Sequence, residues 1–246
     1  MPVTTAIIQA RMGSTRLPGK VAMLLGDRPV LAHVIERCCH AGKVEQVIVA
    51  TTGLPEDDRV VQIARDNNVG FYRGSEDDVL SRYYHAARRF QADPIVRITA
   101  DCPLLDPSLI DRVIQLKEET GADYASNTVE RTFPRGVDVS VFSFATLEKM
   151  HQLAKESWQR EHVTPFIKDN PHMFSRANLS AWGRLRRPDL RITIDTEEDL
   201  MLIRAIYHFL GKRSFQLENI IALLEEQPWL PYINRHIRQK GENSPP

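Results

Sequence analysis

Ten residues near the amino terminus, Arg11-Met12-Gly13-Ser14-Thr15-Arg16-Leu17-Pro18-Gly19-Lys20, carry the densest chemistry of the chain. Gly13 and Gly19 permit close backbone approach and positive φ, Pro18 stiffens the segment, and Ser14 and Thr15 add hydroxyl donors. Arg11 and Arg16 offer forked guanidinium donors and Lys20 a compact charge, a set suited to a triphosphate. The same residues also describe a plain solvated turn, and neither a Walker A loop nor Gly-x-Gly-x-x-Gly is present. Two acids complete the candidate chemistry. The run Ile95-Val96-Arg97-Ile98-Thr99-Ala100 ends at Asp101, and Arg191-Ile192-Thr193-Ile194 ends at Asp195. Attack on the α-phosphorus of a nucleoside triphosphate needs its negative charge neutralised while pyrophosphate departs. Mg²⁺ takes oxygen ligands and keeps several waters, so Asp101 and Asp195 beside phosphate oxygens would form an adequate site. Each acid has a structural alternative. Asp195 could cap the next helix with Glu198, although Thr196 with Asp199 offers another cap, and Asp101 or Asp106 could brace a turn.

These groups need elements that bring them together. Strand-like segments fall at Ala6–Gln9, Gln46–Thr51, Gly70–Tyr72, Ile95–Thr99, Tyr124–Ser126, Val137–Phe142 and Leu190–Ile194. Amphipathic segments fall between them at Pro29–His40, Glu56–Asn67, Asp77–Phe90, Pro107–Thr120, Phe144–Lys155 and Thr196–Leu210, with a last helix at Leu217–Glu226. This alternation predicts an α/β fold with a mainly parallel sheet covered on both faces, and ligands at the carboxyl ends of its strands. A single domain is expected over 1–240, with a small insertion at 130–183 that covers the site or meets a second subunit, and a loose tail at 241–246.

Composition narrows the class. At 246 residues the chain can bury a substantial core, and 32 basic against 32 acidic residues argue against nucleic acid as partner. The basic run Arg184, Arg186, Arg187 and Arg191 reads as a solvated turn. Adjacent Cys38 and Cys39 cannot easily bridge each other, Cys102 stands alone, and no Cys-x-x-Cys occurs, which fits a reduced cytoplasm. No run approaches a membrane span and no leader-like segment is read at the start.

Gln9 to Lys20 resembles the nucleotide-binding signature of the cytidylyltransferases that make CMP-activated acidic sugars, such as CMP-KDO synthetase. Ile7 to Val21 looks more like the spore coat polysaccharide biosynthesis protein F family. Thr99 to Asp106 resembles the family's central acidic motif, and Ile194 to Leu200 its closing Asp-Thr-x-Glu-Asp-Leu. The resemblance runs along nearly the whole chain. It implies the nucleotidyltransferase variant of a Rossmann-like αβα sandwich, acting with Mg²⁺ on CTP and a small-molecule acceptor as a homodimer. Arg11, Gly13, Ser14, Arg16 and Lys20 would hold the triphosphate, with Lys20, Arg16 and Asp101 catalytic and Asp101 and Asp195 on the metal. Ala10, Thr51, Gly74, Ser75, Arg82 and Thr99 would surround the nucleotide, although Arg82 could instead pair with Asp78 at i, i+4. On the acceptor side Asn127, Arg135, Asp138, Arg160 and His162 are the candidates, since a carboxylated sugar calls for a cation; Arg160 and His162 could equally be structural. The product would be a CMP-conjugate of an ulosonic or nonulosonic acid for surface polysaccharide. The competing readings are a sugar-phosphate nucleotidyltransferase, a glycosyltransferase of related fold, and a nucleotide-binding subunit without turnover.

Overall fold

In a computed structural model of the chain, residues 2–211 and 215–239 are described; the expected tail at 241–246 lies outside them. The apolar run after the amino terminus forms β1 (Val3–Gln9), and the glycine-rich loop leads into a two-strand hairpin, β2 (Leu24–Leu25) and β3 (Arg28–Pro29), which the sequence reading lacked. Then α1 (Val30–Cys39), β4 (Gln46–Thr52), α2 (Asp58–Asp66) and β5 (Gly70–Gly74) alternate as expected. So do α3 (Val79–Phe90), β6 (Ala92–Thr99), α4 (Pro107–Thr120) and β7 (Tyr124–Ser126). Local chemistry sets several starts. Asp78 accepts from Ser81 N–H, Asp106 accepts from Ser108 N–H, and Pro107 opens α4 where its missing N–H costs nothing.

The chain continues through β8 (Ser140–Phe142), α5 (Phe144–Leu153), α6 (Ser157–His162), α7 (Pro165–Asp169), β9 (Arg176–Asn178), α8 (Glu197–Leu210) and α9 (Leu217–Glu226). The main sheet runs β5-β4-β1-β6-β8-β7-β9, and β8 pairs antiparallel with both its neighbours while the other pairings are parallel. Residues 130–183, expected as an insertion, thus supply two strands of this sheet. Strand residues alternate between two cores. Ile8, Val49 and Ile98 face α1, α4, α8 and α9, whereas Ile7, Ile48 and Ile95 face α3, α5 and α7.

Two expected strands are corrected. Val137–Phe142 is a strand only from Ser140, because the Asn127 amide replaces a ladder partner, donating to the Val137 carbonyl (2.7 Å) and accepting from Val139 N–H (2.9 Å). Leu190–Ile194 is no strand. It forms one bridge, Arg135 to Arg191, because Gly136 at φ 112° turns the opposing chain away after pressing close to the Ile192 backbone. A Cβ at Gly136 would stand 2.4 Å from the Ile192 carbonyl oxygen.

Candidate active site

The loop after β1 is built by its backbone. Ser14 and Gly19 N–H both donate to the Met12 carbonyl at 2.9 Å, and Gly19 takes φ 71° to start the short 3-10 turn Lys20–Ala22. This turn delivers Lys20, nearly buried, to the crevice at the carboxyl ends of β1 and β6. Asp57, which sequence reasoning missed, holds the loop from beneath. Its buried carboxylate accepts from Met12 N–H at 2.6 Å and from the Thr52 hydroxyl. Arg73 in turn clasps the Thr52 and Leu54 carbonyls (2.9 and 2.6 Å) and Asp58.

The two strand-end acids meet on that lysine. Lys20 Nζ donates to Asp101 Oδ2 and Asp195 Oδ1, each at 2.8 Å, and to the Ile194 carbonyl at 2.7 Å. Asp195 Oδ2 also receives Arg16 at 2.9 Å and Arg191 at 2.6 Å. Burial works to raise the Asp195 carboxyl, but Lys20, Arg191 and Arg16 overcome it and hold it down to about 2. Asp101 is lowered by Lys20 against its own burial and the repulsion of Asp195. Burial works to lower the Lys20 ammonium, yet the two carboxylates raise it above its ordinary value. Asp195 is free for this work because Thr196 and Asp199 form the capping box of α8. Arg191 is corrected from a solvated residue to a partly buried, ion-paired one. Its guanidinium bridges Asp195 and fully buried Asp199, while Arg184 and Arg187 do pair at the surface.

Around this centre lies a cleft of about 300 Å³. Of the residues read from sequence it gathers Ala10, Arg11, Gly13, Ser14, Thr15, Arg16, Lys20, Arg82, Thr99, Asp101, His162 and Asp195, with Gln9 and Glu161 as further neighbours. Thr51, Gly74 and Ser75 do not line it. Thr51 is buried in β4, and Gly74 and Ser75 support Arg82, whose Nη1 donates to the Ser75 carbonyl (3.1 Å) rather than to Asp78. Four acceptor-side candidates also stand outside the lining. Arg160 is turned to Asp78 (2.7 Å) and to the His151 and Ala154 carbonyls. Asp138 holds Arg131 with both oxygens (2.8 and 2.6 Å), Asn127 spends its amide on the backbone of 137–139, and Arg135 bridges to Arg191 through its backbone. Their sequence signal was polarity, and tertiary partners absorb it.

Among the described residues no group of three or more His, Cys, Asp or Glu could hold a metal. The donor set still fits a hard cation. Asp101 and Asp195 both reach one cationic atom, Lys20 Nζ, and they offer only oxygens, which suits an ion completed by phosphate oxygens and water. No described helix is long and apolar enough to cross a membrane.

Residues 5–237 match the sequence model of the cytidylyltransferase family. The spore coat polysaccharide biosynthesis protein SpsF of Bacillus subtilis is 36% identical over 229 residues, covering 90% of this chain and 94% of that protein. The 3-deoxy-manno-octulosonate cytidylyltransferase of Geobacter metallireducens is 39% identical over 215 residues, covering 79% of this chain and 83% of its own. A solved cytidylyltransferase from Leptospira borgpetersenii serovar Hardjo-bovis shares the fold at a TM-score of 0.89 and 32% identity, covering 98% of this chain and 100% of that one.

Proposed function

We propose, because the chain belongs to the cytidylyltransferase family, that it transfers CMP from CTP to a hydroxyl of an acidic sugar of the ulosonic or nonulosonic type. The acceptor oxygen bonds to the α-phosphorus, the bond from that phosphorus to the bridging oxygen breaks, pyrophosphate leaves, and the hydroxyl proton is released. The observation that carries this reading is the meeting of Arg16, Lys20, Asp101 and Asp195 beside the glycine-containing loop. Loop N–H groups and the charges of Arg11, Arg16 and Lys20 would receive the triphosphate, which gains negative charge on its departing side. Asp101 and Asp195 would hold Mg²⁺, which supplies charge neutralisation at the phosphates when bound. Asp57 and Arg191 act through others: the first orients the loop through Met12 N–H, the second fixes the Asp195 carboxylate.

The nucleoside would lie toward Ala10, Arg82 and Thr99. Arg82 Nε, buried at the cleft and without a partner in the structure, supports polar recognition on that side. Glu161 and His162 of α6 close the cleft opposite, where the acceptor would enter. Arg160, in the same helix, is held to Asp78 behind that wall. The resemblance to SpsF favours a product destined for surface polysaccharide. Calorimetric titration of CTP, UTP, ATP and GTP in Mg²⁺ tests the nucleotide half. CTP should bind most tightly; equal affinity for all four would refute base selection, and no binding would refute the triphosphate loop.

A further inference from the structure

Strand β6 sits in the middle of the sheet between β1 and β8, where a strand covered on both faces should be apolar, yet it carries Arg97 between Val96 and Ile98. Arg97 pairs in register with Ile7 and Ser140, which turns its side chain to the face covered by α3 and α5. Its Nε is buried without a hydrogen-bond partner, and the guanidinium makes no ion pair with any described residue. Arg37 is answered by the Phe215 carbonyl, Arg160 by Asp78, and Arg191 by Asp195 and Asp199, while Arg82, whose Nε is likewise without a partner, still donates Nη1 to the Ser75 carbonyl. A titratable neighbour of Arg97 is Tyr83, whose hydroxyl donates to the Ile7 and Ile98 carbonyls. Burial pushes that phenol up to about 12, so it brings no negative charge.

Arg97 is half-buried, so the buried Nε lacks a partner while the rest of the guanidinium is open to an incoming anion that could complete it. The register says where that ligand lies. Two residues beyond Arg97 on the same face, Thr99 lines the cleft, and opposite Thr99 stands Gln9, whose buried Oε1 also lacks a partner. The cations around the phosphate loop belong to a different wall, and Arg16 and Lys20 are already turned to carboxylates. We propose that Arg97 is the residue that receives the carboxylate of the acceptor, with Gln9 available to a hydroxyl beside it. This rests on the acidic-acceptor reading above. It gives the acceptor the cation that Arg160, turned to Asp78, does not provide.

The test compares wild type with Arg97→Met and Arg97→Lys, using 3-deoxy-manno-octulosonate and N-acetylneuraminate as probes, each as the free acid and as its methyl ester. Calorimetry with saturating CMP reads acceptor binding; a separate titration reads CTP, and thermal unfolding reads stability. Wild type should prefer the acid form of one of these sugars at least tenfold. Arg97→Met should lose that preference, keep its CTP affinity, and unfold at an equal or higher temperature; Arg97→Lys should restore part of the preference. If wild type prefers the acid and Arg97→Met prefers it as strongly, the assignment of Arg97 is overturned while the acidic-acceptor reading stands. If wild type does not distinguish acid from ester, or binds neither, the acidic-acceptor reading fails and the assignment with it. A clear fall in the unfolding temperature of Arg97→Met, with Arg97→Lys restoring stability but no acid preference, would make Arg97 structural and overturn the proposal.

Discussion

Replacing Asp195 by asparagine removes one charge from a carboxylate caged by Lys20, Arg16 and Arg191 while keeping its shape. The folded-state value of about 2 lies below the ordinary 3.8, so the ionised form is favoured by the fold. At 1.36 kcal/mol per unit, the displacement corresponds to about 2 kcal/mol of stability at neutral pH. The contribution of a lowered carboxyl is complete above 3.8 and disappears as pH falls through about 2. Because asparagine resembles the protonated acid, the gap between wild type and Asp195→Asn should be about 2 kcal/mol at pH 7. By pH 3 it should have narrowed by about 1 kcal/mol. Urea denaturation of both proteins at pH 7, 5 and 3 measures this, with the slope of unfolding checked for constancy. A gap that stays constant with pH would show that packing rather than charge supports Asp195. Equal stability at pH 7 would show that the three cations do not hold it.

Three further outcomes follow from the same geometry. Lys20→Ala should weaken CTP binding by about 1–3 kcal/mol in calorimetry, the range for hydrogen bonds to charged groups, and unchanged affinity would return the loop to a plain turn. Asp101→Asn should fold, as circular dichroism and thermal melts would show, yet turn over roughly a hundredfold more slowly; normal turnover would make Asp101 a turn residue. Gly136→Ala forces a Cβ to within 2.4 Å of the Ile192 carbonyl oxygen at a φ of 112°. It should destabilise the protein by about 2 kcal/mol or more, and a wild-type melting temperature would show that the 134–136 and 190–192 segments are not packed as described.

The sequence made local features legible and left their tertiary partners hidden. The first β-α alternations, the capping of α8 by Thr196 and Asp199, and the glycine-rich loop are written in residues a few positions apart. The convergence of Asp101 and Asp195 could be anticipated from two strand-like runs, although the second run is extended chain with a single bridge. Arg160 misled because its partner Asp78 lies 82 residues earlier. Asn127 and Asp138 have near partners, but a polar residue bound to backbone or to Arg131 looks in the sequence like one bound to a ligand. Asp57 and Arg191 were missed because their roles depend on loops joined only by folding. Arg97 had a visible signal, a charge within an apolar central strand, but its lack of a partner is a property of the whole fold.

The central claim is that one cleft joins CTP to an acidic sugar. Its most direct test is product analysis after incubating the protein with CTP, Mg²⁺ and a panel of ulosonic and nonulosonic acids. Phosphorus NMR should show a CMP phosphodiester and pyrophosphate forming together in equal amounts for at least one acid, and neither with Asp101→Asn. Pyrophosphate formed at the same rate without any acid, or CMP transfer only to neutral or phosphorylated sugars, would contradict it.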